Sequence, residues 1–457
     1  MKDLKNNKKV LSLIILNEFC ERYCFYSIRS ILFTFLIKSY TLSTERATFL
    51  VHSFVFLCYL FGVIGGLIAD GFLGRYKTIV YFNFLYFIGN LMILFSSYHV
   101  NLFTLIISLT FISMGTGGLK PCISAFGGDQ LTSKKEVEGF FSLFYFSINA
   151  GSLFGIVLSP ILASYNCVNN NCYFTSFKVS TMVHSLSIIL FLIGSRNYIK
   201  KQPDKQFLIR LWRYLKLKYF FSSKIEEENE EVQIICPDMQ KDVQTTIKIF
   251  KVFMFVPFFW MLNDQYSSSW IDQGNKMKST INFFKYEFYL YPSQMAAVNA
   301  IGVIFMIPLF VKYVYPFFYR RKCLKNPLEK MYFGLAFTIG SFLISIFIQI
   351  LIEFNYQINL LSQIPQYLLL TAGEILMSIT GLQFAYSQSP ESMKSLVFSG
   401  WLMTTAIGNF YIMILSVLNP FKILLNASFT LKTLIFSAIV GSVGLCWMMI
   451  VCKREFI

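Results

Sequence analysis

Charge is scarce in this sequence. Only 14% of its 457 residues are Asp, Glu, Lys or Arg, and 55% are hydrophobic, whereas a soluble chain carries about 25% charged residues. That balance excludes an ordinary soluble domain. Acids are scarcer than bases, 24 against 40, but the surplus lies in loops beside apolar segments, so a nucleic-acid partner is not needed to explain it. The alternation of a membrane barrel is missing. Metal-ligand spacing is missing as well, because the ten cysteines are scattered. Two glycine-rich stretches, Gly65 to Lys77 and Gly115-Thr-Gly-Gly-Leu-Lys-Pro, lack both the preceding strand and the Gly-Lys-Ser/Thr of a phosphate-binding loop. With no nucleophile beside a base, no metal cluster and no nucleotide domain, the chain reads as neither an enzyme nor an ATP-driven pump.

What is present is length and apolarity. Twelve segments are long enough for the roughly 20 residues that cross a bilayer. A long connection splits them six and six, which predicts an all-α integral membrane protein of two bundles, 1–195 and 247–457, joined by a linker over 196–246. An even number of spans puts both termini on one side. About three times as many Lys and Arg fall on that side as on the other, which makes it cytoplasmic. The first segment follows Lys2, Lys5, Lys8 and Lys9 but is too long and too charged for a secretory leader, so it reads as a retained span. Within the linker, Leu208 to Leu215 has an amphipathic pattern suited to the membrane surface, and Glu226 to Glu231 is a solvated acidic run. Cys167 and Cys172 bracket an Asn-rich external loop where an oxidising compartment would allow a disulfide.

The few charges inside the spans carry the information. Glu18, Glu21, Arg22, Phe25 and Arg29 are spaced i, i+3, i+4, i+7 and i+11, which places them within an arc of about 100° on one helix face. From Glu18 to Arg29 the stripe runs about 16 Å along the helix, too far for snorkelling from one end. Charge at that depth lines something wet or meets partner charges. Candidates in other spans are His52 and Tyr59, Lys120, Asn149, Trp260 and Asp264, Asn299, Glu374 and Trp401. Arg22, Arg29 and Lys120 can hold a carboxylate, the arginines bidentately. Glu374 and the asparagine carbonyls can hold an ammonium group. Tyr26, Tyr59, Trp260 and Trp401 offer adaptable walls to variable side chains. A cavity with a cationic end, an anionic end and pliable walls suits a short zwitterion, and carboxylates in such a place can take up a proton as coupling ion.

These residues resemble those of the proton-coupled oligopeptide transporters of the major facilitator superfamily. The resemblance rests on Glu18-Phe-Cys-Glu-Arg-Tyr, the Gly65 to Ile79 loop, Gly117-Gly-Leu-Lys-Pro and Ala125-Phe-Gly-Gly-Asp-Gln. It extends through Phe141 to Ser152, Phe259-Trp-Met-Leu-Asn-Asp-Gln, and Ile364-Pro-Gln-Tyr to Ser387-Gln-Ser-Pro. It implies twelve helices in two six-helix bundles, and proton symport of di- and tripeptides by alternating access across the plasma membrane. The proton is the only cofactor it implies, membrane lipids surround the protein, and no partner protein is required. Glu18, Glu21, Arg22, His52 and Asp264 would couple the proton. Arg22 and Arg29 would meet the peptide carboxylate, and Asn149, Asn299 and Glu374 its amino end. Lys120 with Glu374 resembles the cytoplasmic gate pair, Arg29 with Asp264 the external one, and Tyr26, Tyr59, Trp260 and Trp401 would form side-chain pockets. A carrier of nitrate or another small anion or metabolite from the same family is the alternative. One departure is that Val311 stands where animal-type members carry an acid opposite a residue such as Lys248.

Overall fold

The computed structural model describes the chain except Met1 and residues 132–133, 166–171, 204–236, 284–285, 322–323, 325, 391–392, 419–426 and 456–457. The amphipathic and acidic stretches of the linker and Cys167 therefore lie outside the described residues. Cys172 is disulfide-bonded.

Helix α1 is Lys2–Tyr40. It is followed by α2 Thr44–Leu73, α3 Arg75–Tyr98, α4 Leu102–Gly128, α5 Lys134–Tyr165 and α6 Phe174–Arg196. After the linker come α7 Lys241–Asn275, α8 Pro292–Arg320, α9 Pro327–Glu353, α10 Leu360–Gln388, α11 Lys394–Leu418 and α12 Phe429–Glu455. Eleven of these contain a stretch long and apolar enough to cross a membrane. At 39 residues α1 is long enough too, and its own charged stripe is what lowers its hydropathy. Between α7 and α8 a small antiparallel hairpin pairs β1, Thr280–Phe283, with β2, Tyr286–Tyr289. The end of the molecule that carries this hairpin and the α1–α2 turn is called upper below, and the end with the α2–α3 turn lower.

Apolar side chains gather into two main cores. One draws on α1 to α6 with Ile271 added, the other on α7 to α12 with Ile156 added. Helices approach closely where glycine removes a side chain. A Cβ at Gly115 would lie 2.6 Å from the backbone nitrogen and Cα of Tyr86, and one at Gly65 would collide with the Cα of Gly118. Backbone cannot step aside as a flexible side chain can. Gly115→Val is therefore expected to cost about 3 kcal/mol or more by overpacking α3 against α4. Thermal unfolding in detergent reads this, with Gly66→Ala as control because the nearest atom to its new Cβ is 3.8 Å away.

Several spans are not uniform. In α7 the α-helical stretch Val256–Asn263 gives way to a 3-10 turn, Asp264–Ser267, before Ser269–Asn275. At Ser268 the backbone turns to φ −138°, ψ −81°, so the helix is broken beside Asp264. A π-helical turn, Ile375–Ile379, follows Glu374 directly in α10, and another, Phe310–Val314, interrupts α8. Such local unwinding inside membrane helices is tolerated where neighbours satisfy the freed backbone groups. Above the break Gln363 of α10 supplies that support by donating to the Trp270 carbonyl at 3.0 Å, and the upper piece is tied to its neighbours by Gln273. Its amide donates to the Ser345 carbonyl of α9 at 2.8 Å. Its oxygen accepts from Gln363 and Gln366 of α10 at 3.1 and 3.2 Å.

Candidate functional site

The stripe predicted on α1 is buried. Glu18, Arg22 and Arg29 are 4%, 6% and 4% exposed and Glu21 is fully enclosed. Arg22 pairs with both acids, with Glu18 through Nε at 3.1 Å and with Glu21 through Nη2. The second oxygen of Glu21 accepts from Thr116 of α4 at 2.6 Å. Small residues let this happen: Gly151 and Gly155 of α5 lie against the α1 backbone at Phe19 and Tyr23, closing the space behind the stripe.

Higher on α1, Arg29 crosses to the other bundle and meets Asp264 at 3.0 Å, with its guanidinium 5.0 Å over the ring of Tyr266. The remaining oxygen of Asp264 accepts from Asn409 of α11 at 2.6 Å, and the same amide donates to the Thr405 carbonyl at 2.9 Å. Those two bonds fix which way the Asn409 amide faces. Its oxygen therefore points to His52 Nδ1, 2.8 Å away, and because an amide oxygen only accepts, Nδ1 carries a hydrogen. Nε2 lies 2.8 Å from the Ser268 hydroxyl. A hydroxyl both donates and accepts, so His52 can gain or lose the Nε2 proton with no more than rotation of Ser268. Arg29, Asp264, Asn409, His52 and Ser268 thus form one network across α1, α2, α7 and α11. Asp264 and Ser268 reach it from the two ends of the 3-10 turn in α7.

Further cross-bundle bonds seal the same upper end. Tyr291 joins Ser164 at 2.6 Å, and Gln294 of α8 donates to the Val157 carbonyl of α5 at 2.9 Å. At the lower end the ion pairs made by Arg75 and Lys201 lie within one bundle. Arg75 reaches Asp129 at 2.6 Å and Asp70 at 3.4 Å, and Lys201 reaches Asp129 at 2.7 Å.

The expected Lys120–Glu374 pair is not formed in this conformation. The Lys120 ammonium lies 4.1 Å over Tyr59 and 4.3 Å over Phe25, held by cation–π attraction in its own bundle. Glu374 accepts from Asn299 at 2.8 Å, and Asn299 also donates to Thr371 at 3.2 Å. Amide and acid, from α8 and α10, are thus brought together. Asn149 is half-buried and bonds its own helix at the Tyr145 carbonyl, 2.8 Å away. Trp260 is half-buried with an indole N–H that lacks a partner among the described residues. Tyr26 and Tyr59 are half-buried too. Trp401 is 7% exposed, packed against Gly381 of α10 and edge-on to Phe253 of α7. Val311 and Lys248 both sit exposed on the surface, and no pairing between them occurs among the described residues.

Sequence reasoning missed Asn409, Ser268, Thr116 and Tyr266. Asn409 was the findable one, as a lone amide in the apolar stretch of α11, where a polar side chain marks an interhelical bond.

The geometry agrees with what comparison finds. The PTR2 family model, described as the POT family, matches residues 76–428. Peptide transporter family 1 of Drosophila melanogaster is 34% identical over 354 residues, 74% of this chain and 47% of the fly protein. Solute carrier family 15 member 1 of Oryctolagus cuniculus is 29% identical over 425 residues, 86% of this chain and 59% of the rabbit protein. The chain thus spans about half the length of the curated relatives it matches. Among solved structures, an auto-inhibited POT family peptide transporter aligns with a TM-score of 0.85 at 25% identity, covering 98% of this chain and 97% of that one. The POT family transporter PepTSo aligns with a TM-score of 0.84 at 26% identity, covering 97% and 98%.

Proposed function

The chain belongs to the POT family, and from that membership we propose that it is a proton-coupled symporter importing di- and tripeptides by alternating access. The observation that carries this reading is the polar axis of the interior. Arg22 and Arg29 stand on α1, and Glu374 with Asn299 stands in the other bundle. A zwitterion of one or two peptide bonds bridges such opposed ends, its carboxylate on guanidinium and its ammonium on carboxylate. Asn149 and Lys120 contribute on the amino and carboxylate sides, and Tyr26, Tyr59, Trp260 and Trp401 accommodate side chains.

Proton and peptide are linked through Arg22. With Glu18 and Glu21 ionised, both acids engage it. A proton on either acid frees part of the guanidinium for the peptide carboxylate, so each ligand favours the binding of the other. At the upper network a proton taken by His52 or Asp264 weakens the Arg29–Asp264 closure. Closure then passes to the lower end, where Lys120 leaves its aromatic seat to meet Glu374. We assign the upper end to the outside of a plasma membrane and both termini to the cytoplasm, on the strength of the Lys and Arg bias. No resident cofactor other than the proton and no partner protein enters the scheme, and the chain is not an enzyme in this reading. The nitrate or small-anion reading is disfavoured, since an anion gives Glu374 and the full Glu18–Glu21–Arg22 stripe nothing to do.

Uptake of a labelled dipeptide into proteoliposomes tests the proposal. An acid-outside gradient is expected to drive accumulation above equilibrium, and addition of an uncoupler to collapse it. Equal uptake with and without the gradient would sink it.

A further inference from the structure

A cavity of about 560 Å³ opens at the upper end of the seam between the bundles, within the range of about 300–1,000 Å³ usual for small-ligand sites. Tyr98, Tyr289 and Tyr291 line it, and Lys38 is its one charged lining residue among those described. Ser293 lines this cavity and also a narrow void of about 10 Å³ bounded by Tyr26, Arg29 and Tyr266. The cavity therefore stands over the Arg29–Asp264 closure, with Ser293 in the partition. Part of its wall is itself a bundle-to-bundle contact, the bond from Tyr291 to Ser164.

We propose that this cavity is an outer capture site, which holds a short peptide above the closed gate by its carboxylate on Lys38 and its side chain among the tyrosines. The inference rests on the proposed transport function and adds to it a second, weaker binding site. A lone lysine with no lining acid beside it favours an anionic group, and tyrosine faces accept many side chains at small entropic cost. Lys38 is exposed, so the pair is screened by salt and weak, as a site must be that hands its ligand on. The wall that Tyr291 and Ser164 close parts when the bundles separate, so the capture site is dismantled as the path to Arg22 opens.

Equilibrium binding of labelled phenylalanyl-alanine to the full chain in nanodiscs tests this. Wild-type protein is expected to show a tight and a weak class of site. Glu374→Ala should remove the tight class and leave the weak one. In that background, Lys38→Gln, amidation of the peptide carboxylate, or a rise to 0.5 M salt should each weaken the remaining class about threefold to fivefold, and Lys38→Arg should restore it. With Glu374 intact, Lys38→Gln should raise the KM of uptake about threefold at unchanged maximal rate. A single class in wild-type protein, or a weak class indifferent to Lys38 and to amidation, overturns the capture site. Survival of the tight class in Glu374→Ala instead overturns the central-site reading, and the Lys38 comparison still decides the capture site.

Discussion

Glu21→Gln is expected to cut gradient-driven peptide uptake about a hundredfold while peptide exchange without a gradient continues. The substitution keeps the size of the side chain and an oxygen for Thr116, which now donates to Glu21 at 2.6 Å. What it removes is the proton site and one of the two negative charges on Arg22. Coupling between two ligands of a transporter is typically about 1–3 kcal/mol, or about 5–150-fold, and Glu21 is placed for the upper part of that range because it is wholly enclosed. In Glu18→Gln the same measurement should show a smaller loss, because among the described residues Glu18 bonds Arg22 alone whereas Glu21 also ties α1 to α4. Parallel assays of counterflow and of acid-driven accumulation separate the two effects. Normal accumulation in Glu21→Gln would falsify its role as the coupling acid.

Asp264→Ala should open the upper end. Asp264 is 2% exposed and receives both Arg29 and Asn409. Truncation leaves a buried guanidinium without a counter-charge, which typically costs about 3–5 kcal/mol. That cost falls on the upper-closed state alone, since a separated gate lets water reach Arg29. A bias of this size turns a population of about 99:1 to between about even and about 1:50, short of the about 5.5 kcal/mol that a full reversal needs. Spin labels on α1 and α8 near the upper ends should report a longer distance in Asp264→Ala than in wild type. An unchanged distance distribution would show that the other cross-bundle bonds, Tyr291 to Ser164 and Gln294 to Val157, suffice to hold the end closed.

The charged stripe was legible in the sequence because ionised groups in an apolar helix have few reasons to be there, and their spacing alone gives the face. The helix count followed from length and apolarity, which local composition reports well. Neutral partners were not legible. A serine or asparagine in a span is compatible with many uneventful roles, so Ser268, Thr116 and Asn409 became visible only when distance singled them out. Trp401 shows the ambiguity of aromatics: in a span one signals either a pocket or a core, and only the structure shows Gly381 packed against the ring. The Lys120–Glu374 pair illustrates a third limit. Sequence names residues able to meet, while whether they meet belongs to one state of a two-state molecule. The break in α7 had no sequence signal either, since Asn263 to Ser269 contains neither proline nor glycine.

The break at Ser268 has a mechanical consequence. Below it, the stem of α7 from Val256 to Asn263 packs with Gly408 of α11 against Trp260 and Met261. Above it, Ser269–Asn275 is bolted through Gln273 to α9 and α10. The two pieces of one helix share α9 and α12 as neighbours but are fastened differently, the stem packed on Gly408 of α11 and the upper piece bonded to α10, and the fastening that crosses to the other bundle sits at the joint between them. This half of the molecule is less a single block that tilts than a plate carried on a stem. Any turn of one against the other is concentrated at a serine whose hydroxyl is already in contact with His52.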